Sequence, residues 1–262
     1  MTKRVSDYRE LLAAGRWFGG IPAELRQALL GMMQLRRVVT HEILCGEGSP
    51  AREVFAVIEG KLRVSTRRGD KEAVITLIEP PGWCGEISLF DGDDRSVDVT
   101  AEVDTLVAVV PMEGLLAFLD REPRYWRDFG RLLATKLRLA LIGMTEAGHS
   151  TAGQRVAHRI VMMAEGYGEW TDRSYPLVTV SQETLARMVS SSRQTVNREL
   201  RKLEAQGLVR ITYGGVEALD LRGLEDVARG HEAPRTARRS ARVPAVTPVT
   251  LATSASRSRL RA

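Results

Sequence analysis

The sequence predicts an α+β chain with three parts: an N-terminal antiparallel β jelly-roll barrel, a long dimerisation helix and a C-terminal winged helix-turn-helix domain. Three observations predict it. Between Val38 and Val110, short β-rich runs alternate with glycine and proline turns. From Trp126 to Ala147, apolar residues recur at alternating spacings of four and three. From Thr179 onward, two short amphipathic patterns joined by serines precede a Gly-Gly pair.

The elements follow in order. Tyr8, Leu11 and Leu12, then Ile21, Leu25, Leu29 and Met33, stand at helical spacing over residues 8–35, and Pro22 fits a first helical turn. The β-rich runs are Val54–Ile58 before Gly60, Leu62–Val64, Val74–Ile78 before Pro80-Pro81-Gly82, Val97–Thr100 and Leu106–Val110. Many short strands with turn signals at this spacing suggest an antiparallel barrel or jelly roll. Residues 111–148 return to helix, and Trp126, Gly130, Leu133, Leu137, Ala140, Met144 and Ala147 form a seam. Such a seam also suits a helix packed on its own barrel, but its length favours a second copy. Trp126, Leu133, Leu137, Ala140 and Met144 are therefore the expected dimer contacts. Residues 148–151 break the helix and form a candidate hinge. The expected organisation is a β domain over 1–123, the dimerisation helix over 124–149, a winged helix-turn-helix domain over 150–228 and a disordered basic tail over 229–262.

Within the third part, a helix is expected from about Gln154 to Gly166. Ser181 is a plausible N-cap for the next, shorter helix, whose apolar face is Leu185, Met188 and Val189. After the Ser190-Ser191-Ser192 turn, Val196, Leu200 and Leu203 recur at i, i+4 and i+7. Arg193, Asn197 and Arg201 then fall on the opposite side, with Gln194 and Arg198 beside them. Arginine donates bidentately to guanine O6 and N7, and Asn or Gln pairs with adenine N6 and N7. The candidate DNA contacts are Ser192, Arg193, Gln194, Asn197, Arg198 and Arg201. An amphipathic surface helix with solvated arginines is the alternative. Val209–Val216, with Gly214-Gly215 at its turn, reads as the wing.

Composition sets limits. The chain has 262 residues and a net charge of +5. Residues 229–262 hold eight Arg and one Glu, so the preceding residues sum to −2. The basic balance therefore belongs to the tail, and nucleic-acid binding must be argued from where the helix places its arginines. No apolar run reaches membrane-spanning length and the N-terminus has no apolar signal core, so a cytoplasmic protein without a membrane partner is expected. Cys45 and Cys84 are too few for an iron–sulfur cluster or a four-Cys zinc site and read as small, partly buried apolar residues. His41, His149, His158 and His231 are scattered, His41 reads as a surface residue, and no nucleophile–base set appears. Neither an enzyme nor a metal site is expected.

A second constellation lies in Gly82–Val97. Gly85 allows close backbone approach to a ligand. Glu86, beside apolar Ile87, Leu89 and Phe90, can accept from a ribose hydroxyl, while Arg95 and Ser96 offer a guanidinium and a hydroxyl for a phosphate. An internal Glu86–Arg95 salt bridge is the alternative.

Gly46-Glu47-Gly48, Gly60 and Gly85-Glu86-Ile87-Ser88-Leu89 followed by Arg95-Ser96 resemble the phosphate-binding cassette of the CRP/FNR family of bacterial transcription regulators. Ser192-Arg193-Gln194-Thr195-Val196-Asn197-Arg198 resembles that family's recognition helix. The resemblance covers residues 10–222. It implies a cyclic nucleotide as candidate effector, held by Gly85, Glu86, Ile87, Ser88, Arg95 and Ser96, with Glu86 on the ribose and Arg95 and Ser96 on the phosphate. It implies that Arg193, Gln194 and Arg198 face the bases. Ala140 and Leu141 stand where cAMP-responsive members carry Thr and Ser, Val97 and Asp98 depart from the small hydroxyl-rich pattern, and Gln194 replaces a common Glu. The cysteines of the oxygen-sensing branch are absent. The resulting expectation is a homodimer on palindromic double-stranded DNA, with RNA polymerase as a candidate partner. Its rivals are a constitutive regulator without ligand and a cyclic-nucleotide-binding module acting on a protein partner. The arginine face argues against the second.

Overall fold

The computed structural model describes residues 4–69, 71–168 and 177–231. Most of the expected tail lies outside the described residues. The N-terminal helical region is three short helices rather than a continuous one: α1 (Arg9–Ala13), α2 (Arg16–Gly20) and α3 (Ala23–Met32). The first break falls at Gly15, the N-cap of α2, and the second at Ile21-Pro22, both extended and lacking the helical ψ.

The β region is larger than the apolar runs suggested. It comprises β1 (Gln34–Val38), β2 (Ile43–Cys45), β3 (Glu53–Glu59), β4 (Leu62–Arg68), β5 (Lys71–Ile78) and β6 (Trp83–Cys84). The short helix α4 (Ile87–Asp91), β7 (Asp98–Ala101) and β8 (Thr105–Pro111) complete it. Two four-stranded antiparallel sheets, in the orders β1-β8-β3-β6 and β2-β7-β4-β5, form the jelly roll. Phe55, Val57, Leu62, Val64, Val99, Val107 and Val109 fill the space between them. The other face of β3 and β8 carries Val54, Ala56, Ile58, Ala108 and Val110. These pack under α1–α3, α5 (Met112–Arg121) and the start of α6 (Trp126–His149). Both faces of these strands are buried, which is why they read as unbroken apolar runs instead of alternating ones.

The 24-residue helix α6 has two working sides. Phe129 and Leu132 are buried against the roll. Leu137, Leu141, Ile142 and Met144 are exposed. One side of the helix thus packs on the roll, while the other presents apolar residues to the surface.

A capping box between Thr151 and Gln154 starts α7 (Ala152–Ala164) two residues before the expected point. The helices α8 (Gln182–Met188) and α9 (Arg193–Ala205) follow, each with a serine N-cap: Ser181 accepts from Thr184 N, and Ser192 from Thr195 N. The wing strands β10 (Val209–Thr212) and β11 (Gly215–Ala218) are joined by β9 (Leu177–Val178) in a three-stranded sheet, and α10 (Leu221–Ala228) closes the domain. The turn falls at Tyr213-Gly214, since Thr212 pairs with Gly215. Gly215 is a strand residue, and a Cβ there would stand 2.6 Å from the Val178 carbonyl oxygen, so the Gly-Gly pair serves both the turn and the close passage of β9.

The two globular parts touch. Val74 and Leu77 of β5 are buried in the same apolar cluster as α7, α8 and α9. Around them, Arg187 meets Glu72 at 2.9 Å, Thr184 donates to Glu102 at 3.1 Å, and Arg159 donates to the Ile75 carbonyl at 3.0 Å.

Candidate nucleic-acid interface and effector cassette

Val196, Leu200 and Leu203 seat α9 in its core, which turns the opposite side outward. Ser192, Arg193, Gln194, Arg198 and Arg201 are exposed. The Ser192 hydroxyl is engaged in capping α9. Asn197 is half-buried, and its side-chain amide donates to Gln182 Oε1 at 3.0 Å, which ties α9 to α8. Arg198 donates from Nε to Glu199 Oε1 at 3.0 Å, and Lys202 reaches both oxygens of Glu199. Gln194, Asn197, Arg198, Arg201 and Lys202 line one shallow open depression along α9. The wing is pinned to this helix, because Ile211 N donates to Glu204 Oε1 at 2.8 Å, and Tyr213 stands fully exposed at its tip.

The cassette is built on the pairing of β6 with β3. Gly85 follows with φ +100°, a left-handed conformation that a side chain disfavours. A Cβ there would stand 2.9 Å from both Arg95 Nη1 and the Glu53 carbonyl oxygen. The space it leaves is taken by the buried Arg95 guanidinium, which donates to the Gly85 carbonyl at 3.1 Å and to the Glu53 carbonyl. Arg95 also lies 5.8 Å from the Phe55 ring centroid. Its Nε is buried without a hydrogen-bond partner among the described residues.

Glu86 is 2% exposed. Its partner is Lys136 of α6, at 2.9 Å, which also donates to the Trp83 carbonyl. The alternative of a Glu86–Arg95 salt bridge is corrected: Arg95 is taken up by backbone carbonyls, and Glu86 by the long helix. Ser88 is buried, Ile87 and Ser96 are exposed, and Phe90 stacks at a tilt on Trp126 with centroids 5.4 Å apart. Asp91, Asp93 and Asp94, all exposed, add negative charge to the segment that precedes Arg95 in sequence. Burial pushes the thiols of Cys45 and Cys84 up, which disfavours the thiolate, and neither is in a disulfide. Among the described residues no group of three or more His, Cys, Asp or Glu is placed to hold a metal ion.

Residues 35–122 match the model of the cyclic nucleotide-binding domain, and residues 154–227 match that of the Crp-like helix-turn-helix domain. The cyclic AMP receptor protein of Thermus thermophilus is 30% identical over 215 residues, covering 81% of this chain and 96% of that protein. The chain belongs to the CRP/FNR family of transcription regulators. This CRP/FNR member is a DNA-binding regulator, in a family of regulators rather than enzymes. A second relative, the CRP-like cAMP-activated global transcriptional regulator of Mycobacterium tuberculosis, is 25% identical over 222 residues, covering 84% of this chain and 99% of the relative. Among solved structures, FixK2 from Bradyrhizobium japonicum has a TM-score of 0.67 at 21% identity, covering 74% of this chain and 96% of that one. The c-di-GMP responsive regulator CLP of Xanthomonas campestris has a TM-score of 0.61 at 24% identity, covering 75% and 99%. These two likenesses establish the fold.

Sequence reasoning missed Lys136 and Glu199. Lys136 had a signal: it lies four residues after buried Leu132 and seven after Phe129, so it belongs to the barrel side of α6. A lysine at such a position needs a carboxylate below it. Glu199 had a signal too, since it falls beside the apolar Leu200–Leu203 stripe rather than on the polar side.

Proposed function

We propose that this regulator works as a homodimer on a palindromic duplex site, and that a small anionic ligand in the barrel adjusts its DNA affinity. The observation that carries the DNA reading is the exposed side of α9, where Arg193, Gln194, Arg198 and Arg201 point away from a helix seated by its other face. Two such helices suit two half-sites one helical turn apart. The exposed stripe of Leu137, Ala140, Leu141 and Met144 supports pairing through α6, with the half-buried Trp126 and Leu133 extending it towards the roll. Domain roles follow: effector domain 1–123, dimerisation helix 124–149, DNA-binding domain 150–228 and basic tail 229–262. Among the described residues no helix is long and apolar enough to cross a membrane, and we place the protein in the cytoplasm with its DNA. Regulation of transcription implies contact with RNA polymerase at the promoter, or its exclusion.

The cassette fits part of a cyclic nucleotide. The unpartnered Arg95 Nε and the exposed Ser96 hydroxyl suit a phosphate, and Glu86 suits a ribose hydroxyl once Lys136 yields or shares it. The relatives from T. thermophilus and M. tuberculosis carry cAMP in their names. Here Ala140 and Leu141 offer adenine no hydrogen-bonding side chain, so strict cAMP dependence is not expected. Any ligand effect equals its differential affinity for the DNA-competent and incompetent dimers. Selection of bound duplexes from a random library, followed by calorimetric titration with cAMP, cGMP and cyclic dinucleotides, tests both halves. A single palindromic motif bound without cAMP supports the proposal, and strict cAMP dependence contradicts it.

A further inference from the structure

Glu199 places a carboxylate on the helix proposed to read DNA, whose outer face would meet phosphates as well as bases. Its side chain is 10% exposed, against 64% for Arg198 and 60% for Lys202. It is sunk between α9 and the first turn of α7: a Cβ on Gly153 would stand 3.1 Å from Glu199 Oε2, so glycine leaves the carboxylate room. A buried carboxylate persists only when it is partnered. Here Arg198 Nε donates to Oε1 at 3.0 Å, and Lys202 Nζ donates to both oxygens at 3.1 and 3.0 Å. Burial pushes the Glu199 carboxyl up, but the hydrogen bonds from Lys202 and Arg198 outweigh it and hold the group below the usual carboxylate range.

The partnering has two consequences for DNA reading. The guanidinium is a rigid planar fork, so a bond at Nε fixes the direction of the whole plane. Among the described residues no hydrogen bond from the terminal amino groups of Arg198 stands beside the one at Nε, and these groups can meet guanine O6 and N7 end-on. Meanwhile Lys202, a strongly hydrated point charge suited to phosphate, spends part of its charge on Glu199. We infer that Glu199 is a positioning residue for specificity: it aims the Arg198 guanidinium at a base and tempers the sequence-independent pull of Lys202 on the backbone. A carboxylate at this position thus raises the ratio of specific to nonspecific binding from both sides. The inference rests on the reading of α9 as the DNA-reading helix.

The test is a set of anisotropy titrations on the intact protein carrying Glu199→Gln, Arg198→Ala or Lys202→Met. The duplexes are the selected site, the same site with one guanine pair replaced at each position in turn, and a random sequence. Thermal melting is recorded alongside. Glu199→Gln is expected to keep its melting temperature and lose about five- to tenfold in discrimination at the base pair that Arg198→Ala also relaxes. Its binding to random duplex is expected to tighten, with the slope of log K against log salt steeper by about 0.9 as Lys202 turns to a phosphate. Lys202→Met is expected to keep the discrimination. A merely structural carboxylate would instead weaken specific and random binding together, in step with the melting temperature, and that result overturns the inference. Discrimination lost in Arg198→Ala but unchanged in Glu199→Gln overturns it alone. No loss in either variant overturns the reading of α9 as well.

Discussion

Lys136 Nζ lies 2.9 Å from Glu86 Oε2, and this contact ties the long helix to the floor of the effector cassette. The same helix carries the exposed apolar stripe on its other side. A ligand that competes for Glu86 therefore acts directly on the element that would pair two protomers.

Removal of the lysine leaves Glu86 buried and unpaired. Lys136→Met is expected to destabilise the N-terminal domain by about 3 kcal/mol, the low end for a broken buried pair because Lys136 keeps some access to water. The double variant Glu86→Gln/Lys136→Met is expected to recover much of that loss. Urea unfolding of the two variants measures the difference, and equal stabilities would mean that the contact carries no coupling.

The stripe on α6 is expected to be buried between protomers. Leu137 is 56% exposed in one protomer, and full burial of a leucine contributes roughly 1.5–3 kcal/mol, twice over by symmetry. Leu137→Glu is expected to give folded monomers in sedimentation and weak DNA binding. A variant that stays dimeric would place the dimer contact elsewhere.

Contact between the roll and the DNA-binding domain is part apolar and part ionic. Val74 is 4% exposed and Leu77 is 3% exposed under α8, beside the Arg187–Glu72 pair. Val74→Asp puts an unpaired charge there and is expected to speed hydrogen exchange in β5 and α8 together. Raised salt is expected to do so weakly, because Arg187 is partly exposed and its pair is screened.

A pH dependence belongs to His158 on α7. Burial, helped by neighbouring Arg159, lowers its pKa below the ordinary histidine value of about 6.5. The unfolded chain then binds more protons than the folded one between the two values. Stability is therefore intact above about pH 6.5 and falls as the pH drops towards the folded value. His158→Gln is expected to flatten this part of the melting-temperature profile between about pH 7 and 5. An unchanged profile would mean that the imidazole is equally solvated in both states.

Periodicity made the long helix and the helix-turn-helix legible, since Val196, Leu200 and Leu203 encode a helix and its buried face locally; the Ser181 cap was legible by residue type, while Ser192, read as a turn residue and DNA contact, proves to cap α9. The roll was legible as a class, yet β1, β2 and the two-residue β6 were missed. Gln34–Val38 alternates weakly because Arg36 and Arg37 sit on an edge strand, and Ile43–Cys45 is too short for a pattern. The break at Gly15 was hidden within a run of helical spacing, whereas Pro22 was read as a first helical turn and stands one residue earlier, as the N-cap of α3. The residues of the cassette were legible by type, but their partners were not. Arg95 bonds carbonyls 10 and 42 positions away in sequence, and Glu86 bonds Lys136 50 positions away. Such pairings are products of topology, which local spacing does not encode.

The central claim is that the outer face of α9 reads base sequence. Its most direct test is the affinity of Arg193→Ala and Arg198→Ala for the selected palindromic duplex, measured by anisotropy with sedimentation as a control. Each variant is expected to remain a folded dimer, to lose roughly 1–3 kcal/mol of binding per lost guanine contact, and to relax sequence preference at one base pair of each half-site. Unchanged affinity and unchanged preference in both variants would contradict the assignment of α9 as the reading helix.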